Sequence, residues 1–334
     1  VTNTSSSAKK YSKIFFDRIL KKTNKNSFIV EVASNDGTFL KPFLRKKKKI
    51  LGIDPAKNIA RSANKNGIRT LPAFFNSNCA KKIVKKYSKA DIVFARNVIP
   101  HVRDIKSIVK GMSELLTNKG TAIIEFHYAK IIQDELHYDS IYHEHLFYFT
   151  IETISKVFIK YGLYPYDVDK SPISGGSLVL YFSKTKNKVS SKLKKLIQNE
   201  KSNKVNEYFK WKKFAVKSII HSKKLKSKIQ KLVKKNKVIG YGASARSSTL
   251  LNFCQINDNI LNQIVDKNKL KKNKFTPGTN IKIIDYEQIK NDIKNYKIIF
   301  VLAWNFKREI MRDLNKIGYK GKYLLPLPNK IQFL

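Results

Sequence analysis

One stretch near the start of the chain constrains the fold more than any other: residues 28–37, which read FIVEVASNDG. The pattern predicts a short buried strand, a tight loop of small and polar residues, and the start of a helix. About twenty residues after the loop begins, the apolar run at 50–53 ends in Asp54. In a parallel sheet, a carboxylate at the end of the second strand can accept hydrogen bonds from a ribose diol. The sequence therefore predicts a nucleoside site.

The loop itself distinguishes two classes of nucleoside ligand. A dinucleotide brings a pyrophosphate, and its loop usually carries G-x-G-x-x-G so that the backbone can cradle the phosphates. This loop contains Glu31 and Asp36 and a single glycine, Gly37. Such a loop disfavours anions and suits a cationic ligand such as the sulfonium of S-adenosylmethionine (SAM). A strand, loop and helix without any ligand is the alternative.

Length and composition bound the class of protein. A chain of 334 residues can bury more than one core, so two domains are expected. Residues 1–8 form a Ser- and Thr-rich lead-in, and the sequence shows neither an apolar run of membrane-spanning length nor a leader pattern. We therefore expect a soluble cytoplasmic protein with no membrane partner. Cys79 and Cys254 are too few and too far apart to predict a metal site or a disulfide framework.

The formal charge of +44 raises the question of nucleic acid binding, because basic surfaces attract phosphates. Almost all of this charge comes from lysine, and the lysines are scattered along the whole chain instead of forming one patch. The accompanying abundance of Asn and Ile is typical of an AT-rich coding sequence. Compositional bias is thus the favoured explanation, with polyanion binding as the alternative, and nucleic acid is not the expected partner.

Strands and helices alternate as far as residue 126, which favours a parallel sheet covered on both faces. A Lys-rich helical spacer follows, and then a second nucleotide-type unit with Gly240-x-Gly242-x-x-Ala245, Ser244 and Arg246. This second loop suits a phosphate or diphosphate near a helix N-terminus, and an NAD site is the rival interpretation. The predicted domains are 1–185, a helical linker at 186–235, and 236–334.

Histidines are unevenly distributed: four of the six lie between residues 127 and 145. The run Tyr142-His143-Glu144-His145 places a phenol, an acid and two imidazoles within four residues, and histidine transfers protons readily near neutral pH. If this run is extended, Tyr142 and Glu144 share one face; if it is a turn, all four can approach one pocket. An H-x-H pattern without further ligands does not predict a metal site.

Together, six ordered motifs resemble the SAM-dependent sugar C-methyltransferases, which methylate C3 of nucleotide-linked 4-keto-deoxyhexoses, usually dTDP sugars. The motifs begin at Glu31, Gly52, Asn97, Tyr142, Ser174 and Gly240 and read EVASNDG, GIDP, NVIPHV, YHEH, SGGS and GYGASA. This resemblance covers essentially the entire chain. It implies a Rossmann-like SAM methyltransferase domain, a helical spacer, and a second, smaller Rossmann-like α/β domain that helps to hold the nucleotide sugar.

The resemblance also implies roles for individual residues. His145 is the expected general base, with Tyr142, Glu144 and His101 completing the catalytic group. The expected SAM-binding residues are Glu31, Ala33, Ser34, Asn35, Gly37, Asp54, Pro55 and Asn97. The expected substrate-binding residues are Gly175, Gly176, Gly242, Ser244, Arg246 and Asn305.

The sequence departs from the family pattern in two places, and two alternative functions are compatible with it. Family members carry an N-terminal zinc-binding module with cysteines, which the sequence starting at Val1 does not include, and Arg96 stands where the pattern commonly has Asn. The alternative functions are methylation of a heteroatom in RNA or a small molecule, and non-catalytic nucleotide binding.

Overall fold

The computed structural model describes residues 6–334, so the first five residues of the lead-in predicted at 1–8 lie outside the described residues. The described chain forms two compact units. The first extends to Ala129 and also includes Leu146–Val205, and the second comprises Lys130–His145 and Asn206–Leu334. The chain therefore passes from one unit to the other three times. The domain boundaries expected at residues 185 and 235 remain a prediction.

A seven-stranded sheet forms the centre of the first unit, in the order β3-β2-β1-β4-β5-β7-β6. Strand β7 is antiparallel to β5 and β6, and the other pairings are parallel. A doubly wound parallel sheet with an antiparallel closing strand confirms the α/β prediction. The strands are β1 (Phe28–Val32), β2 (Lys49–Ile53), β3 (Thr70–Leu71), β4 (Ala90–Arg96), β5 (Leu116–His127), β6 (Tyr164–Ser171) and β7 (Ser177–Ser183).

Helices cover this sheet, and polar side chains mark where several of them begin. Asn76, Asp104 and Thr150 each accept a backbone N–H from the first turn of the helix that follows, which satisfies a donor that has no partner within the helix. These helices are α1 (Ser6–Leu20), α2 (Lys41–Arg45), α3 (Lys57–Lys65), α4 (Ser77–Lys86), α5 (Ile105–Leu115), α7 (Ile151–Ile159) and α8 (Ser191–Ser202). The short helix α6 (Ala129–Asp134) belongs to the second unit from Lys130 onward.

The core beneath the predicted nucleoside loop is aromatic. Phe15 of α1 contacts Phe94 of β4 with ring centroids 5.2 Å apart, and Phe39 and Phe43 bury their rings in the same cluster. Packing of this kind fixes the backbone that follows β1, because buried aromatic rings contribute large apolar areas. The loop therefore begins and ends on well-packed residues.

The second unit contains a six-stranded sheet in the order β10-β9-β8-β11-β12-β13, in which β13 is antiparallel to β12 and the other pairs are parallel. This confirms the predicted second Rossmann-like sheet. The strands are β8 (Val238–Tyr241), β9 (Gln263–Asp266), β10 (Lys282–Asp285), β11 (Ile298–Val301), β12 (Lys322–Leu325) and β13 (Gln332–Phe333). The helices are α9 (Tyr208–Lys235), α10 (Ala245–Phe253), α11 (Tyr286–Lys290) and α12 (Lys307–Lys316).

Two segments differ from what their sequences predict. The pattern at 71–75 predicts a short strand, but the strand is limited to Thr70–Leu71. The pattern at 118–120 predicts a loop that closes a helix, but these residues are part of β5. Gly120 explains the second difference, because a side chain there would meet the Asp91 carbonyl oxygen at 2.8 Å. Glycine lets the early part of β5 approach the neighbouring backbone.

Candidate active site

The loop after β1 and the end of β2 meet at the carboxyl edge of the first sheet, because Val32 is paired with Ile53. Asp54, which follows β2, accepts a hydrogen bond from the Asn35 backbone N–H at 2.9 Å through Oδ2 and from the Ala56 N–H at 3.0 Å through Oδ1. These two bonds hold the carboxylate in place. Each carboxylate oxygen keeps capacity for another donor, as a ribose diol requires.

The loop backbone is conformationally unusual. Ala33, Asn35 and Asn97 have positive φ angles of 55°, 51° and 49°. This left-handed region is uncommon for residues other than glycine, and it costs energy that the surrounding structure must supply. Strained residues of this type cluster at functional sites, and these three line one cavity.

Glu31 is the most informative side chain in that cavity. It is 3% exposed, and its Oε2 has no hydrogen-bond partner among the residues that the structure describes. Burial raises the pKa of Glu31 well above its ordinary value. The positive charge of Arg96 lowers this pKa, and the Asp36 and Asp54 carboxylates raise it further. A buried carboxyl without a partner destabilises the protein unless a ligand supplies the missing charge or donor.

Arg96 is a cation in the same cavity, but its charge is already balanced. Its Nη2 lies 2.6 Å from Glu125 Oε2, and its guanidinium stacks 3.2 Å from the centroid of the Phe39 ring. Glu125 is fully buried and also accepts the Ser171 hydroxyl at 2.5 Å. The cavity therefore remains net acidic, which fits a cationic nucleoside such as SAM and disfavours a pyrophosphate.

Most of the SAM-binding residues predicted from the sequence line this cavity together. Gly37 and Pro55 do not: Pro55 is exposed, and a side chain at Gly37 would overlap Ile68, so Gly37 permits close packing. Those that line it are Glu31, Ala33, Ser34, Asn35, Asp54 and Asn97, and the cavity adds Asp36, Thr38, Phe39, Arg96 and Val98.

In the second unit, the run that begins at Tyr142 forms a turn, so the turn alternative is correct. The His145 N–H donates to the Tyr142 carbonyl oxygen at 2.9 Å, and the two rings pack with centroids 4.3 Å apart. His143 and Glu144 are exposed. The turn thus brings Tyr142 and His145 together.

Hydrogen bonds define the protonation of the His145 ring. Nδ1 lies 2.8 Å from the Ser140 carbonyl oxygen, which can only accept, so the neutral ring carries its proton on Nδ1. Nε2 then carries the lone pair, and the Tyr142 hydroxyl donates to it at 3.2 Å. Burial and the Glu144 carboxylate raise the pKa of Tyr142, so the phenol keeps its proton at neutral pH.

Asp139 anchors the start of this segment. Its carboxylate accepts two hydrogen bonds from Arg246, and its Oδ2 also accepts the Trp304 indole N–H at 2.8 Å. Asp139 is 1% exposed, so this is a buried and nearly saturated acceptor. Neither Asp139 nor Trp304 was predicted as a site residue, and the two are 165 positions apart.

The second glycine loop repeats the geometry of the first. The Ala243 N–H donates to Asp266 Oδ2 at 2.9 Å, as Asn35 does to Asp54, and Gly242 has a φ of +95°. Ser244 caps α10 by accepting the Ser247 N–H at 3.2 Å. The phosphate role predicted for Arg246 would have to coexist with its pair to Asp139, and it remains a prediction.

The remaining predicted residues occupy separate places. His101 is an exposed residue in a 3-10 turn (Ile99–His101) of the first unit, and Gly175 and Gly176 lie in the half-buried turn before β7. Asn305 lies in a 3-10 turn (Trp304–Phe306) of the second unit. Roles for these four residues remain predictions. No described helix has the length and apolar character required to cross a membrane.

Comparison with known proteins gives two adjoining family matches. A methyltransferase domain matches residues 8–168, and a C-methyltransferase C-terminal domain matches residues 172–328. The chain is 28% identical to the C-methyltransferase NovU of Streptomyces niveus over 308 aligned residues. The alignment covers 90% of this chain and 72% of NovU.

Comparison with solved structures gives partial matches to this chain. They include the magnesium protoporphyrin IX methyltransferase of Synechocystis with bound SAM, at 10% identity and a TM-score of 0.40. This match covers 53% of this chain and 79% of the Synechocystis chain. They also include a SAM-dependent methyltransferase of Clostridium acetobutylicum (13% identity, TM-score 0.42, 54% and 92%). The family matches and the relative from Streptomyces agree with the acidic nucleoside cavity, and the chain is a SAM-dependent C-methyltransferase.

Proposed function

We propose that the chain transfers a methyl group to C3 of a nucleotide-linked 4-keto-deoxyhexose, with His145 as the base that forms the enolate. The observation that carries the proposal is the hydrogen bond from His145 Nδ1–H to the Ser140 carbonyl, which leaves the lone pair on Nε2. A dTDP sugar is the proposed substrate, because the six motifs resemble enzymes that use one.

The chemistry of carbon methylation supports a ketone in the substrate. A carbon atom accepts a methyl group only as a carbanion equivalent, and a side chain can remove a C–H proton only when a neighbouring carbonyl stabilises the charge. C3 of a 4-keto sugar meets this requirement. When bound, SAM supplies the electrophilic methyl group.

Two side chains of the turn have separate roles in the proposed formation of the enolate. His145 Nε2 takes the proton from C3, and the Ser140 carbonyl stabilises the resulting imidazolium through Nδ1–H. When the sugar is bound, the Tyr142 hydroxyl, which keeps its proton because its pKa is raised, turns from His145 Nε2 to the C4 oxygen and donates to it as negative charge develops there, which leaves the Nε2 lone pair to the C3 proton. A positioned base contributes about 10²- to 10⁴-fold in rate.

Residues of the cavity in the first unit are proposed to hold SAM. Asp54 accepts the ribose hydroxyls, and Glu31 faces the sulfonium, whose positive charge would favour the ionised carboxylate and oppose the effect of burial on its pKa. The net acidity of the cavity then contributes to selection of the cationic cofactor.

Hydrogen exchange into the substrate tests the proposal without requiring methyl transfer. The protein is incubated with a dTDP-linked 4-keto-6-deoxyhexose in deuterated water, and deuterium at C3 is measured by mass spectrometry. We expect exchange by the native protein and by His143→Ala, a neighbouring exposed histidine, and its loss in His145→Ala, while SAM affinity is unchanged in both variants. Exchange that persists in His145→Ala would reassign the base, and preferential methylation of RNA would favour the heteroatom alternative.

A further inference from the structure

A cavity of about 650 Å³ lies in the second unit, apart from the glycine loop at 240–245. Its walls come from the end of α6, one side of α9 and the stretch after β12. Neither the family resemblance nor the proposed reaction assigns a role to it.

One face of α9 gives this cavity its charge. Lys217, His221, Lys224 and Lys228 follow one another at intervals of four, three and four residues, which places them on one face of a helix. Lys330, in the stretch after β12, also lines the cavity. Lining one cavity distinguishes Lys217, Lys224 and Lys228 from the other lysines of α9, which do not line it.

Acidic groups do not balance this charge. Asp134 is the acidic residue in the cavity wall, and it forms an ion pair with Lys130. Converging ammonium groups around a concave space attract anions, and phosphate is the common small-molecule anion that lysine binds.

His221 supplies an independent reason to expect a ligand. The ring is 7% exposed, and its Nε2 has no hydrogen-bond partner within the described part of the chain. Burial and Lys224 lower the pKa of His221, and the Pro326 carbonyl acts in the opposite direction. A buried polar atom without a partner is costly, and a ligand atom in the cavity would satisfy it.

We propose that this cavity binds a phosphorylated small molecule, with its phosphate or diphosphate between Lys224, Lys228 and Lys330 and a phosphate oxygen accepting His221 Nε2–H. This site is distinct from the sugar-nucleotide residues proposed above and does not depend on them.

The contacts of Tyr138 are compatible with a proton on the required nitrogen of His221. Burial raises the pKa of Cys254 to about 12, so the thiol keeps its proton, and its sulfur lies 3.4 Å from the Tyr138 hydroxyl. In the tautomer that the proposed site uses, the Tyr138 hydroxyl donates to His221 Nδ1 at 2.9 Å. Nε2 of the neutral ring is then the N–H donor.

Apolar residues beside the lysines allow for more than a bare anion. Leu136, Ile220 and Ile331 also line the cavity, and its volume is within the range of small-molecule sites. The phosphate groups can come from a nucleotide or from inorganic pyrophosphate. The relative affinities of the cavity for these two ligands show which of them it binds.

Calorimetric titration of the full chain with inorganic pyrophosphate tests the site, at about 0.15 M salt to suppress non-specific attraction. We expect Lys224→Gln/Lys228→Gln to bind about tenfold more weakly than the native protein. The charge-matched control Lys212→Gln/Lys234→Gln, on exposed positions of α9, should bind as the native protein does. His221→Asn, which keeps a partner for Tyr138 and removes Nε2, should also weaken binding without lowering the unfolding temperature.

A second titration with thymidine diphosphate identifies the source of the phosphate. If thymidine diphosphate binds more tightly than pyrophosphate and this binding is lost in Lys224→Gln/Lys228→Gln, the ligand is a nucleotide. If the two compounds bind equally and both are lost in that variant, the ligand is the free anion. Equal weakening by the control pair, or no pyrophosphate binding by the native protein, would overturn the proposal.

Discussion

The Arg246 guanidinium donates two parallel hydrogen bonds to the Asp139 carboxylate, from Nε to Oδ2 at 3.0 Å and from Nη2 to Oδ1 at 2.8 Å. The pair is almost fully buried, and the Arg246 guanidinium lies 4.9 Å from the centroid of the Trp304 ring. It connects the first turn of α10 to Asp139, and the carbonyl oxygen of the next residue, Ser140, accepts the hydrogen bond from His145 Nδ1–H. A structural ion pair therefore supports the proposed base.

Asp139→Asn should lower the free energy of unfolding of the second unit by about 3–5 kcal/mol, because it leaves the Arg246 charge buried without a counterion. Urea unfolding followed by Trp304 fluorescence measures this in a Trp211→Phe background, since the chain has two tryptophans. The double variant Asp139→Asn/Arg246→Gln should lose less than the sum of the two single variants. Additive losses would show that the two side chains are not coupled.

Tyr142→Phe should reduce kcat by about 10²- to 10³-fold with little change in KM, because it removes the donor proposed for the enolate oxygen. Steady-state methyl transfer and deuterium uptake at C3 should fall together. Tyr208→Phe, at a position that is 80% exposed, is the matched control. A rise in KM alone would indicate that Tyr142 binds the sugar and does not stabilise its charge.

SAM affinity should increase as the pH rises through the raised pKa of Glu31, because the ionised carboxylate attracts the sulfonium. Glu31→Gln should remove this pH dependence and weaken SAM binding about 10- to 100-fold. Equilibrium binding between acidic and neutral pH measures both effects, with the surface variant Glu152→Gln as control. Unchanged affinity in Glu31→Gln would place the sulfonium elsewhere.

The same carboxyl should destabilise the protein when no ligand is bound. Its folded-state pKa lies above the unfolded value, so its contribution to stability falls as the pH rises from the unfolded pKa towards the folded one. Glu31→Gln should therefore raise the unfolding temperature at neutral pH in the absence of SAM. A lower unfolding temperature would mean that the carboxylate has a stabilising partner.

Gly52→Ala should weaken SAM binding through the loop after β1. A Cβ at this position would overlap the Ser34 hydroxyl and lie 2.8 Å from Thr70 Oγ1, so the loop must shift. Overpacking of this kind costs about 1–3 kcal/mol. Thermal unfolding and SAM titration measure the two consequences, and a variant with native affinity would show that the loop adapts without cost.

Local patterns in the sequence were sufficient for the first sheet and for the conformation of the loop after β1. The strand at 28–32, the acidic loop and Asp54 lie within 27 residues, and the pairing of β1 with β2 follows from their apolar runs. The predicted SAM-binding residues therefore come together in one cavity, except for Gly37 and Pro55.

Long-range pairing explains what the sequence did not reveal. Arg246 follows a glycine loop and suggested a phosphate ligand, but its fork is bonded to Asp139, 107 residues earlier. The sequence did not decide whether the run at 142–145 is extended or forms a turn, because the same four residues are compatible with both conformations. The hydrogen bond from His145 N–H to the Tyr142 carbonyl distinguishes them.

The three passages of the chain between its units limit how the protein can be divided. A polypeptide that stops at Val205 would carry His145 but not Arg246 or Trp304, so Asp139 would lose its partners and the turn its anchor. Truncation at one position therefore cannot produce a free-standing catalytic module from this gene. Domain exchange with related enzymes would need to transfer residues 130–145 together with the C-terminal half.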